Sequence, residues 1–303
     1  MSGKILLFYK YIVIDNPVEI LKWQRELCER LGLKGRVILA KQGINATLGG
    51  AHDACEEYKK IMSEHALFGN IDFKESPGDH NYFPRLRIVI KDELINFKQS
   101  VDFSKTGTHL TPAEAHELIK NNKDLVILDG RNYYEARVGK FANAITPNID
   151  TFREFPAYVQ ENAELFKDKE VLMYCTGGIR CEPASAYFAE QTQAKKVYQI
   201  LGGIHRYVEQ FPDGFFRGKN YVFDDRVTVR INDDVLATCE KCDIPYDDFT
   251  NCYNTQCNKQ IIVCPACMVT YHNTCSAKCL DMIQANPKFI RPKPPRKPLN
   301  CSI

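Results

Sequence analysis

Val171-Leu-Met-Tyr-Cys175-Thr-Gly-Gly-Ile-Arg180-Cys-Glu-Pro-Ala-Ser185 is an apolar run that ends on a cysteine, turns through two glycines and enters a helix-forming stretch. Such a strand, loop and helix build a place for a negative sulfur. Gly177 and Gly178 can turn successive N–H groups inward, and a helix starting near Cys181 adds its positive end. With the permanent cation of Arg180 nearby, these effects lower a thiol pKa from about 8.5 into the range of roughly 3.5 to 7.5. Cys175 is therefore read as the reactive thiol or persulfide. The backbone amides of Thr176, Gly177, Gly178, Ile179 and Arg180 form its anion cradle, and the Arg180 side chain is a fixed charge. The competing reading is an inert buried cysteine at a strand end. Cys181 also has two readings: a resolving thiol that exchanges with an oxidised or persulfidated Cys175, or a small core residue at a helix start.

Around this stretch the pattern alternates. Helix is expected over 112–121, strand over 125–129, helix over 153–166, strand over 171–174, helix over 182–191 and strand over 197–200. That order argues an α/β unit with a parallel sheet and helices on both faces. Ligands of such sheets sit outside the carboxyl ends of the strands, where Asp129 and Cys175 fall. Thr111-Pro112-Ala-Glu114 is a capping box with proline at the first helical position, so the unit begins there, after a polar linker over 98–107. Upstream, strands over 5–14, 35–40, 46–48, 71–75 and 86–90 and helices over 17–31 and 51–65 suggest a ferredoxin-like α+β sandwich. Its Lys41-Gln-Gly-Ile-Asn45 turn is either a plain hairpin or a loop presenting Lys41 and Asn45 to a ligand. Arg85, Arg87 and Lys91 alternate along one strand and share a sheet face, as a phosphate grip or as an ordinary solvated edge.

Eight of the 13 cysteines lie between Cys239 and Cys279, in four close pairs: Cys239 and Cys242, Cys252 and Cys257, Cys264 and Cys267, Cys275 and Cys279. Four thiolates complete a tetrahedral site, so four pairs suit two metal ions; the first pair is expected to join the third. Zinc in a structural role is the primary reading, because so short a segment has little core of its own, and a rubredoxin-like iron site is the alternative. His272 lies among the pairs. No apolar run approaches the roughly 20 residues of a membrane span, and the free thiols suit a reducing compartment, so a cytoplasmic protein with no membrane partner is expected. A net charge of +2 does not by itself imply a nucleic-acid partner; that needs a local basic surface. The domains are read as 1–97, 108–218, a Cys-rich segment over 235–285, and a basic proline-rich tail over 286–303 expected to be extended and mobile from Pro287.

Asp129-Gly-Arg131, Tyr134-Glu135 and Gly139, followed by the Cys175 loop, make the middle unit resemble a rhodanese. That resemblance implies a persulfide-carrying Cys175, with Asp129 and Arg131 as a structural pair. The Cys-x4-Arg spacing is one residue shorter than the Cys-x5-Arg loop of related phosphatases and favours sulfur over phosphate. Gly35-Arg-Val-Ile-Leu-Ala-Lys-Gln-Gly-Ile-Asn45, Asp129-Gly-Arg-Asn-Tyr-Tyr-Glu135 and Cys175-Thr-Gly-Gly-Ile-Arg-Cys-Glu182 together are similar to the oxygen-dependent tRNA uridine 5-hydroxylases over residues 1–280. The resemblance implies a tRNA partner whose wobble uridine is hydroxylated at C5, with molecular oxygen as co-substrate. Pro183 stands where such proteins commonly have lysine, a substitution the first turn of a helix tolerates.

The residues themselves show no flavin or nicotinamide motif and no start of an iron facial triad. A sulfur donor or thiol reductant is the implied second partner. Three functions stand at this point: tRNA hydroxylase, sulfurtransferase, and a zinc-dependent adaptor without catalysis.

Overall fold

The strand Gly3–Tyr11 (β1) uses both its faces, and that double use organises the molecule. Side chains of a strand alternate between faces. Leu6 and Phe8 pack against Leu27, Cys28, Tyr58 and Met62 of helices α1 (Pro17–Arg30) and α2 (His52–Glu64). Leu7 and Tyr9, one step out of phase, face the next domain. The structure, a computed structural model, describes residues 3–78, 81–257 and 259–291.

Strands β2 (Lys34–Ala40), β3 (Gly43–Ala51), β4 (Lys74–Gly78) and β5 (Leu86–Ile90) complete a sheet of order β4-β1-β3-β2-β5. The first four strands are antiparallel in the ferredoxin-like arrangement, and β5 adds an edge parallel to β2. The β2–β3 turn needs glycine, because Gly43 has φ 140 and a Cβ there would lie 2.0 Å from the Lys10 carbonyl oxygen. Three strands differ from the sequence reading: β1 ends at Tyr11 rather than Ile14, β3 runs over Gly43–Ala51 rather than 46–48, and β4 opens at Lys74 rather than Ile71, where Asn70 turns the chain with φ 62 and Ile71 and Phe73 pack into the helix layer.

The middle domain holds a parallel sheet of order β6-β10-β9-β7, formed by β6 (Thr108–Leu110), β7 (Val126–Asp129), β9 (Glu170–Tyr174) and β10 (Lys196–Ile200). On one face α5 (Phe155–Glu161) and α6 (Cys181–Gln191) contribute Phe155, Val159 and Phe188 to a core; on the other α3 (Pro112–Asn121) and α7 (Gly203–Gln210) contribute Ala115, Ile204 and Tyr207. The helix expected over 153–166 is broken into a 3-10 turn, α5 and a second 3-10 turn. Asn162 closes α5 with φ −115 and ψ 14, and its side-chain amide adds a second donor, at 2.8 Å, to the Tyr158 carbonyl that its own N–H reaches at 3.1 Å. Pro183 sits in the first turn of α6 without disturbing it.

A short helix α4 (Tyr133–Ala136) leads to β8 (Gly139–Phe141), which joins β11 (Phe216–Tyr221) and β12 (Thr228–Arg230) in an antiparallel sheet. The C-terminal part contains the hairpin β13 (Phe249–Asn251) and β14 (Gln260–Ile262), then α8 (Pro265–Thr270) and α9 (Ala277–Ala285). The extended tail expected from Pro287 begins differently: Pro287–Phe289 form a 3-10 turn, and Thr255 and Arg291 bond it to the segment through the Phe289 and Tyr253 carbonyls, both at 2.9 Å. Lys293, Arg296 and Lys297 lie outside the described residues.

Three strands meet at one buried ion pair. Arg131 donates Nε to Asp129 Oδ1 at 2.9 Å and Nη2 to Oδ2 at 2.7 Å, and Nη2 also reaches the Gly139 carbonyl at 2.6 Å. The Tyr174 hydroxyl donates to Asp129 Oδ2 at 2.7 Å. The pair thus ties the ends of β7, β8 and β9 together. Removing one partner strands the other charge in the interior, which typically costs about 3 to 5 kcal/mol. Asp129→Ala should therefore lower the urea midpoint sharply by circular dichroism, with partial recovery when Arg131→Met is added; an unchanged midpoint would contradict the role given to the pair.

Candidate active site

Cys175 follows β9 directly, and the loop from Thr176 to Arg180 folds back over its sulfur. The Gly178 N–H donates to Cys175 Sγ at 3.1 Å, with Gly178 at φ 99, a conformation few other residues adopt. From below, the start of α7 pins the loop: Ile204 and His205 N–H groups bond the carbonyls of Cys175 and Thr176 at 2.9 and 3.1 Å. This approach requires Gly203, where a Cβ would stand 2.4 Å from the Cys175 carbonyl oxygen. From above, β1 presses down. A Cβ on Gly177 would come within 3.0 Å of Leu7, and one on Gly178 within 2.8 Å of the Tyr9 hydroxyl.

The sulfur is fully buried, and burial on its own raises its pKa. The opposing contributions win: a hydrogen bond from the Cys181 thiol, the Arg180 charge, and the N–H groups of Arg180 and Gly178 bring Cys175 down to about 5. Cys181 moves the other way, well above its usual value, through burial and through donating to Cys175. Cys175 is the thiolate and Cys181 the neutral donor. Arg180 does not point at the sulfur alone, for its guanidinium grips Glu135 at 2.6 and 2.8 Å and reaches Thr176 Oγ1 at 3.4 Å. Lys74 adds a further buried cation, paired with Asp72 at 3.0 Å and lying 4.8 Å from the Tyr9 ring centre.

A cleft of about 980 Å³ opens over the loop. The N-terminal sheet supplies Leu7, Tyr9, Arg36, Ile38, Asn45 and Thr47; the far wall carries Tyr221, Phe223 and Asp224, and the C-terminal part contributes Gln260, which accepts from the Tyr221 hydroxyl at 3.0 Å. The site is thus assembled from all three parts of the chain. Asn45 lies in β3 inside the cleft, while Lys41 is exposed in the turn before it. Several of these groups escaped the reading of the sequence. Nothing local marks Glu135 as the partner of Arg180, whereas Gly202-Gly203, one residue beyond the end of β10, is a legible signal for a close backbone approach. Tyr9 and Phe223 carried no local signal.

In the C-terminal part the first cysteine pair meets the third and the second meets the fourth. Cys239, Cys242, Cys264 and Cys267 form one group and Cys252, Cys257, Cys275 and Cys279 the other, with all sulfurs of a group within 4.8 Å of one another. Sulfur separations of 3.8 Å for Cys242 and Cys264, 3.6 Å for Cys257 and Cys275, and 3.5 Å for Cys275 and Cys279 fit a tetrahedron. Bonds of about 2.3 Å to a central zinc place ligand sulfurs about 3.8 Å apart. N–H groups of Cys264 and Cys275 point at Cys239 and Cys252 sulfurs at 3.3 and 3.4 Å, as suits thiolate ligands. The residues fit a metal ion at each group; His272 belongs to neither.

Three family models match the chain: a UPF0176 acylphosphatase like domain over residues 3–94, a rhodanese-like domain over 111–210 and a rhodanase C-terminal model over 217–280. Among its relatives is the tRNA uridine(34) hydroxylase of Corynebacterium jeikeium (strain K411), 40% identical over 288 residues, which span 91% of this chain and 93% of that protein. The proteins of the same name from Corynebacterium urealyticum (strain ATCC 43042 / DSM 7109) and Arthrobacter sp. (strain FB24) are 39% and 40% identical, across 96% and 94% of their lengths. Among the described residues no helix is long and apolar enough to cross a membrane.

A lowered pKa keeps the reactive form present down to the folded value. Alkylation of the peptide containing Cys175, followed by mass spectrometry, should therefore hold a plateau above about pH 6 and fall through a midpoint near 5, where the sulfur titrates. A midpoint between 8 and 9, as in a free thiol at about 8.5, would show that the cradle does not stabilise the anion.

Proposed function

Because the chain belongs to the tRNA uridine(34) hydroxylase family, we propose that it hydroxylates the wobble uridine of tRNA at C5 and that Cys175 is its reactive group. One observation supports the role of Cys175 above the others: a thiol brought down to about 5 at the floor of a cleft of about 980 Å³. As a nucleophile, the thiolate adds to C6 of uridine, and the electron pair of the C5–C6 double bond shifts toward C5 and the O4 carbonyl. C5 then becomes electron-rich enough to meet an oxidant. With molecular oxygen as co-substrate, one oxygen atom enters C5 and the other leaves as water, which requires two electrons from a reductant of the thiol class. Loss of the C5 proton and departure of the sulfur from C6 restore the ring. The reaction belongs in the cytoplasm, where tRNA and thiol reductants are found together.

Because the sulfur has no solvent exposure in this conformation, contact with a base calls for a shift of the loop or of the wall carrying Phe223. That same burial favours a second reading, in which Cys175 carries one extra sulfur atom as a persulfide. The two metal groups serve as structural zinc sites that fold the third part of the chain and hold Gln260 and Tyr221 at the cleft.

Nucleoside mass spectrometry of tRNA from a deletion strain carrying wild-type or Cys175→Ser protein tests the main reading. Wild type should restore 5-hydroxyuridine derivatives, and the variant should leave them at least about 100-fold lower, as loss of a covalent nucleophile does. Full restoration by the variant would reject the role given to Cys175, and loss of thiolated bases instead would establish the second reading. For the metal sites, two zinc ions per chain are expected by elemental analysis. Chelation under mild denaturant should open residues 239–279 to protease, whereas unchanged resistance in metal-free protein would refute a structural role.

A further inference from the structure

The sheet face that lines the cleft carries cations without counter-ions. In register across four strands lie Leu7 on β1, Thr47 on β3, Arg36 on β2 and Arg87 on β5. Residues directly opposite one another share a face, so this row begins where Leu7 meets the Cys175 loop and ends on Arg87 at the sheet edge. Arg85 and Lys91 bracket the same edge strand, and Arg36 and Lys91 line the cleft itself.

Like charges directly opposite on neighbouring strands repel. Burial and the neighbouring Arg87 both disfavour the charged form of Arg36, and among the described residues no carboxylate pairs with it. Among the described residues, Arg85, Arg87 and Lys91 also have no ion-pair partner. Of the acids lining the cleft, Asp224 is clamped by Arg226 at 2.6 and 2.8 Å, and Glu93 accepts the N–H groups of Phe97 and Lys98 at 2.8 and 3.0 Å. Asp92 is the remaining one. An uncompensated arginine pair leading into a cleft is arranged for an anion with regularly spaced charges. The opposite wall offers the complement: Phe223 is 54% exposed, and its ring lies 5.7 Å from the Arg180 guanidinium carbon. Exposed rings of this kind stack bases.

We propose that Arg36 and Arg87, flanked by Arg85 and Lys91, hold the phosphates on either side of the target nucleotide of a single-stranded RNA loop, while Phe223 stacks the extruded base above the Cys175 loop. This rests on the tRNA reading above and adds how the RNA is held. Backbone contacts of this kind place a strand without reading its sequence, and stacking tolerates any base.

The test uses the full zinc-loaded chain and unmodified tRNA. Fluorescence anisotropy across a salt series should show the Arg36→Gln/Arg87→Gln variant losing about 1.4 from the slope of log K against log salt, since each single-strand phosphate contact accounts for about 0.7. Phe223→Ala should weaken binding roughly tenfold with an unchanged slope, and Phe223→Trp should restore it. An oligouridine should compete for the site, whereas polyglutamate of equal charge should not. Both variants should keep the Cys175 alkylation midpoint of wild type, which reports an intact loop. An unchanged slope in the double arginine variant, full affinity in Phe223→Ala, or equal competition by polyglutamate overturns the proposal. Wild-type protein that restores 5-hydroxyuridine in cells while the variants bind as it does sinks this inference alone; wild-type protein that restores none sinks the tRNA reading beneath it.

Discussion

A negative sulfur held away from water must be solvated by the chain, and the surroundings of Cys175 are arranged around that requirement. Water would supply several donors to a thiolate. Here the Gly178 and Arg180 N–H groups and the Cys181 thiol take their place, with Arg180, whose burial is offset by Glu135, and Lys74, paired with Asp72, as the nearby cations. Each of these groups is costly unless the others are present. The glycines serve the same end, because donors reach the sulfur only if the loop is squeezed between β1 above and α7 below.

That squeeze makes the N-terminal sheet part of the wall around the Cys175 loop. Its helix-covered face holds an ordinary apolar core, and its other face closes over the rhodanese loop through Leu7 and Tyr9. The Tyr9 hydroxyl bonds Glu182 in the first turn of α6 at 3.0 Å, and Arg206 of α7 donates to the Phe73 carbonyl at 2.8 Å, so the two domains are fastened on both flanks of the loop. A cleft formed in this way is lined by groups with no single domain of origin.

Much of the architecture was legible in the sequence because its signals are local. The Cys175 loop declares itself through glycine spacing at a strand end, the parallel sheet through alternating elements, and the metal groups through cysteine pairs. Legibility fails where a contact joins distant parts of the chain: Tyr9 over Gly178, Glu135 under Arg180, Phe223 beside the cleft. No period or motif marks these side chains, since each is set by how two finished domains meet. The broken helix around Asn162 is a subtler failure, in which a cap residue with a short polar side chain ends the helix within an otherwise regular apolar pattern.

The interleaving of the cysteine groups has a consequence of its own. The cysteines of the second group begin between the two halves of the first, so neither group occupies a stretch of chain that could be excised, duplicated or released by itself. Residues 252–257 of the second group lie between Cys242 and Cys264 of the first, so the two groups constrain the same stretch of chain. Gln260 lies within that braid, so this part of the cleft wall is anchored through both cysteine groups at once.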